Sequence, residues 1–171
     1  MLGCCVAGVT AAVVASALQN DSGTGPGGGN AAATTAAAPG FGDSVLDGQF
    51  EFIVTELACG ESELANGFLR AQAQGQFCVL DLSVTNIGDE PRHFADGLQK
   101  AYGPDGDQYA ADTHAGVVVN GSGAAVWNVI NPGNAVQAKV VFDIPPTATI
   151  ATIELHDSLL SSGVVVAVAA T

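Results

Sequence analysis

Three imidazoles and a scatter of acids are the side chains in this sequence best suited to chemistry. Asp112 and His114 alternate as residues on one strand face would, and His156 adjoins Asp157, so a zinc site or an acid/base pair is conceivable at either place. His93 is the third imidazole, and no spacing gathers three ligands. The acidic turn Asp105-Gly106-Asp107, with Asp112 following, offers oxygen atoms to calcium. It lacks the further alternating ligands and the terminal glutamate of an EF-hand, and Pro104-Asp105-Gly106-Asp107 is first of all a hairpin turn. Ser122 in Asn120-Gly121-Ser122-Gly123 lacks the glycine pattern of a nucleophile elbow. Gly23, Gly25 and Gly28 form a G-x-G-x-x-G match, but Pro26 and the surrounding Gly/Ala/Thr tract deny it the strand and helix that dinucleotide binding needs. The expectation is a protein without catalytic residues, resident metal or cofactor.

What must position these residues is a modest chain of 171 residues, 17 of them acidic and only 4 basic, with a formal charge of -13. One folded domain with appendages fits that length. Binding to nucleic acid or to an anionic membrane surface is excluded as an autonomous activity, because both need a basic face.

Three segments are expected. Residues 1–18 carry no charge and read as an export element, for which a retained single-pass membrane anchor is the favoured version. A cleaved signal ending at Ala15-Ser16-Ala17 and a lipobox at Leu2-Gly3-Cys4 are the alternatives. The apolar run has no Lys or Arg ahead of it, which points to a true start upstream of Met1. Residues 19–40, rich in Gly, Ala, Thr and Pro without a large apolar side chain, read as a flexible linker.

From residue 41 to 171 short alternating runs are separated by turn formers. Gln49 to Leu57, Phe77 to Thr85 and Ala135 to Ile144 read as strands, with Phe50, Phe52 and Val54 on one face of the first and Val136, Ala138, Val140 and Phe142 on one face of the last. Shorter strands are expected at Leu98 to Tyr102, Gln108 to Asp112, Ala125 to Ile130, Ala151 to His156 and Gly163 to Val168, and a helical turn or two at Glu61 to Ala73. Seven or eight such strands make an all-β, antiparallel β-sandwich. Cys4 and Cys5 belong to the export element. That leaves Cys59 and Cys78, which in an exported chain read as a disulfide clipping the excursion between them, with a contribution of roughly 3 kcal/mol.

Six segments, taken in order, carry a resemblance: Gln49-Phe50-Glu51-Phe52, Ala73-Gln74-Gly75-Gln76-Phe77-Cys78, Asn86-Ile87-Gly88-Asp89-Glu90-Pro91, Ile130-Asn131-Pro132-Gly133-Asn134, Val141-Phe142-Asp143-Ile144-Pro145 and Glu154-Leu155-His156-Asp157-Ser158. From about Gly42 to Val168 the chain resembles the actinobacterial family known as domain of unknown function 4352, which is similar to the mycobacterial immunoprotective extracellular antigens. The resemblance implies an immunoglobulin-like sandwich tethered outside the cytoplasmic membrane, a disulfide between Cys59 and Cys78, and no catalytic residues.

The expected function is therefore a non-catalytic binding or interaction module displayed at the cell envelope, with a protein, a glycan or a lipid as partner and the membrane reached through the N-terminal segment only. Val117, Val118 and Val119, in an unusually apolar stretch, are the expected exposed strip for that partner. The alternative is a small extracytoplasmic enzyme or metal-binding protein built on a His/Asp constellation. A concave pocket of convergent polar groups with a strongly perturbed pKa would favour an enzyme.

Overall fold

The computed structural model describes residues 38–169, so the expected anchor and nearly all of the expected linker lie outside the described residues. Eight strands form two four-stranded antiparallel sheets. The first has the order β1 (Ser44–Asp47), β2 (Phe50–Asn66), β3 (Leu69–Asn86), β6 (Ala135–Ile144), and the second β5 (Gln108–Ala110), β4 (Lys100–Tyr102), β7 (Thr152–Leu155), β8 (Val164–Ala167). The alternation in the sequence puts Phe50, Phe52 and Val54 of β2, Leu80, Leu82 and Val84 of β3 and Val140 and Phe142 of β6 on the inner face of the first sheet. They meet Ala101, Ile153, Leu155 and Val166 of the second. Each large apolar side chain buried this way stabilises the fold by about 1.5–3 kcal/mol. Phe94, from the crossover between the sheets, packs against both Phe50 and Phe52, with ring centroids 6.5 and 6.2 Å away.

Buried Asn86 ends β3 and organises the turn that follows. Its amide donates to the carbonyls of Glu90 and Ile130, both at 2.8 Å, and its oxygen accepts from Gly88 N–H.

Four local expectations are corrected. Glu61 to Ala73 is not helical: β2 and β3 continue as one long hairpin through Glu63↔Gln72 to Asn66↔Leu69, turning at Gly67, whose φ of 60° suits a residue without Cβ. The disulfide joins two directly paired residues, with Cα atoms 4.0 Å apart, and clips the excursion between them at its base. Ala125–Trp127 is a short 3-10 helix, not a strand. Trp127 closes the segment by donating its indole N–H to the Gly121 carbonyl at 2.9 Å. A strand not expected from the sequence, β1, pairs with β2.

The fourth correction concerns Val117, Val118 and Val119. They form no flat strip but lie in α1 (Thr113–Asn120), where Val118 is 2% exposed and only Val117 is open to solvent, at 37%. Asp112 caps the helix by accepting from Ala115 N–H at 2.9 Å, and Gly121 ends it. A β-branched run forms helix poorly on its own. Here Ala115 and Val118 are buried against Ala71, Phe77 and Val141 on the outer face of the first sheet, and that packing outweighs local preference.

The same helix seals the open edge of β6. The Asn120 amide oxygen accepts from Lys139 N–H at 2.9 Å, and its amide nitrogen donates to the Lys139 carbonyl at 2.7 Å. Asp112 N–H donates to the Val141 carbonyl at 2.7 Å. Backbone groups that would otherwise template another strand are thereby occupied.

Candidate functional site

The outer face of the second sheet bears no helix among the described residues. It carries polar side chains instead. Along β4 the outward positions are Lys100 and Tyr102, and the antiparallel register sets Lys100 opposite Glu154 of β7 and Tyr102 opposite Gln108 of β5. His156 follows β7 directly.

Glu154 is the hub. Its Oε1 accepts from Lys100 Nζ at 2.8 Å and lies 2.6 Å from His156 Nε2, while its Oε2 accepts from the Tyr102 hydroxyl at 3.2 Å. The Lys100 hydrogen bond, helped by His156, holds the Glu154 carboxyl below the usual glutamate value, and the same Glu154 bond raises Lys100. Burial, then the neighbouring Glu154 charge, raises the Tyr102 phenol. The imidazole of His156 has its other nitrogen 3.3 Å from Ser161 Oγ. Gly163 leaves room for that ring: its φ is 73°, and a Cβ there would come within 2.7 Å of His156 Cε1.

The backbone around this network is pinned. Gln99 turns inward, donating to the Ala95 and His156 carbonyls at 2.8 and 3.1 Å and accepting from His156 N–H at 2.8 Å. Asp157 is buried and paired with Arg92 at 3.0 Å, the guanidinium nitrogen lying almost equally far from both carboxylate oxygens. Asp47 accepts from the N–H groups of Asp157 and Gly163, so the β7–β8 loop is tied at both ends to the β1–β2 turn. Between the loop and β4–β5 opens a cleft of about 220 Å³, lined among others by Leu98, Lys100, Gln108, Ala110, His156 and Leu159.

The pKa directions bear on what this cleft can do. A general acid or base at neutral pH is favoured by a raised carboxyl or a lowered amine. Glu154 and Lys100 move the other way, each further into its charged form. The pair is suited to presenting fixed hydrogen-bonding groups.

Of the residues picked out in the sequence, only His156 lines this cleft. His114 is exposed on α1 and Asp112 is its cap, so the two do not share a strand face. His93 is exposed on the crossover between the sheets. Asp105 and Asp107 line a separate hollow of about 300 Å³ beside Thr147 and Thr149, without Asp112. Among the described residues no three of His, Cys, Asp and Glu are grouped to hold a metal ion. Lys100, Tyr102, Gln108 and Glu154 were not singled out by sequence reasoning. The available signals were the i, i+2 spacing of Lys100 with Tyr102 and of Glu154 with His156.

A family model described as Domain of unknown function (DUF4352) matches residues 39–166. The chain belongs to this family. No curated relative matches the sequence. Among solved structures, the DUF4352 sandwich is similar to the yjhA protein from Bacillus subtilis, at 11% identity and a TM-score of 0.57, covering 77% of this chain and 99% of that one. It is likewise similar to a conserved hypothetical protein from Bacillus anthracis, at 12% identity and a TM-score of 0.52, covering 74% and 94%. MPT63, a secreted protein from Mycobacterium tuberculosis, matches at 15% identity and a TM-score of 0.49, covering 74% and 95%. The likenesses to the two Bacillus proteins are of fold. The DUF4352 membership and the sandwich agree with the resemblance read from the six sequence segments.

Proposed function

We propose that this protein is an exported, envelope-tethered binding module without catalytic activity, and that the cleft beside Lys100 is where it engages its partner. The observation that carries the reading is the Lys100–Glu154 pair at the rim of a cleft, with both groups held in their charged forms by one another. Export is supported by the Cys59–Cys78 disulfide, since such bonds persist in oxidising compartments, and by the uncharged residues 1–18, which we read as a retained anchor. We read the sandwich as immunoglobulin-like. The order β5-β4-β7-β8 in the second sheet is that of strands C′, C, F and G, and the β3–β6 pairing in the first is that of B with E. The charge of -13 supports a partner other than nucleic acid.

The test compares two tryptophan substitutions in the full chain, assayed for binding to envelope material from the cells that make it. Ala110→Trp fills the cleft, whereas Val117→Trp enlarges the exposed side of α1. The reading expects the first to abolish binding and the second to leave it intact. Loss through Val117→Trp alone would overturn it.

A further inference from the structure

The polar atoms left over in the cleft define what it can hold. Lys100 Nζ gives one N–H to Glu154 and lies 3.4 Å from His156 Nε2, which leaves at least one of its three donors for an occupant. The Tyr102 hydroxyl, with one proton to share, lies 3.2 Å from Glu154 Oε2 and 3.3 Å from the Gln108 amide oxygen, and the Gln108 amide N–H groups have no partner among the described residues. Ser158 engages Ser161 through its backbone, and its hydroxyl, free to donate or accept, is taken up by no described residue. The lining also includes Leu98, Ala110 and Leu159, the last 80% exposed.

Three kinds of ligand can be compared against that lining. A free anion gains little, because Lys100 is already neutralised by Glu154 and the chain as a whole repels negative charge. An acyl chain needs a long dry channel, whereas about 220 Å³ amounts to roughly seven water volumes and its walls carry Lys, Gln, His and Ser. A neutral ring bearing adjacent hydroxyls meets every feature. Its oxygens accept from Lys100 and Gln108, a hydroxyl donates to Ser158 Oγ, and its C–H face lies on Leu98 and Leu159. The volume, below the range of about 300–1,000 Å³ of drug-sized sites, suits one such ring and not an extended chain.

We infer that the cleft beside Lys100 binds a single pyranose unit of a neutral glycan, an inference that rests on the cleft being the binding site. The test titrates the ¹⁵N-labelled full chain with glucose, galactose, mannose and N-acetylglucosamine, and separately with octanoate and inorganic phosphate, following backbone amide shifts. At least one sugar is expected to shift the amides of Leu98, Lys100, Gln108 and Ser158. Gln108→Ala, an exposed position whose loss leaves the remaining spectrum dispersed, is expected to weaken that sugar about two- to tenfold, as the loss of one or two hydrogen bonds would. Cleft shifts from octanoate or phosphate and none from the sugars would overturn the glycan inference while leaving the cleft as the site. Silence from every compound at these amides would overturn the glycan inference, and the tryptophan comparison then decides the fate of the cleft independently. Sugar binding unchanged by Gln108→Ala would overturn the assigned contacts.

Discussion

The two sheets of this sandwich treat their outer faces differently. On the first, Phe77, Val141 and Ala71 point away from the main core and are covered by α1, which also occupies the β6 edge through Asn120. On the second, the corresponding positions are Lys100, Tyr102, Gln108 and Glu154, and a cleft replaces the helix. A covered apolar face has its role in holding the domain together, while an open polar face with spare donors costs the fold little and remains free for a ligand. The difference teaches where to look for function: Val118 and Val119, expected as part of an exposed strip, serve the first role, and strand residues of ordinary appearance are the ones proposed for the second.

The comparison can be broken by truncating one side chain on each face. Phe77→Ala removes a fully buried ring from beneath α1 and should cost about 3–5 kcal/mol, read from urea unfolding. Tyr102→Phe removes one hydroxyl from the open face and should cost under about 1 kcal/mol. Equal losses would erase the distinction between the faces.

A smaller effect is expected at the sealed edge. Asn120→Ala leaves the Lys139 N–H and carbonyl without their partners, at about 1–3 kcal/mol, and reopens the β6 edge. Lowered unfolding midpoints together with concentration-dependent self-association by light scattering are the expected readouts. A variant that is as stable and as monodisperse as the parent would show that α1 does not guard this edge.

The smallest effect sharpens the description of the open face. Folding lowers the Glu154 carboxyl from its ordinary value of 4.5, chiefly through Lys100. A lowered carboxyl contributes stability that is present above the unfolded value and lost as pH falls through the folded one. The parent should therefore lose stability below pH 4.5 more steeply than Glu154→Gln, and the two slopes should coincide near neutrality. Parallel curves throughout the acid range would mean that the pair is not formed in solution.

How much of this was readable beforehand depended on whether the information was local. The alternation at Phe50, Phe52 and Val54, or at Val136 to Phe142, fixes which face is buried without any knowledge of neighbours, and the sandwich followed from it. The hairpin at Glu61 to Ala73 was misread because Leu64 and Phe68 stand at helical spacing. Gly67 turns the chain between them, and Phe68 is left fully exposed at the tip. At Val117 to Val119 an apolar run suggested an exposed strip, but Asp112 and Gly121 bracket a helix and Phe77, some forty residues earlier, provides its floor. The cleft was beyond local reading altogether. Lys100 and Glu154 are 54 residues apart, and only the register of β4 against β7 makes them a pair.

The central claim is that the open face of the second sheet is the binding face. A library of small neutral and charged fragments, titrated into the ¹⁵N-labelled full chain, tests it most directly, because every amide reports its own surroundings. The expected result is that the fragments that bind shift residues 97–100, 108–110 and 156–159 and leave Thr113–Asn120 unchanged. Shifts concentrated on that helix, with the cleft amides silent, would contradict the account.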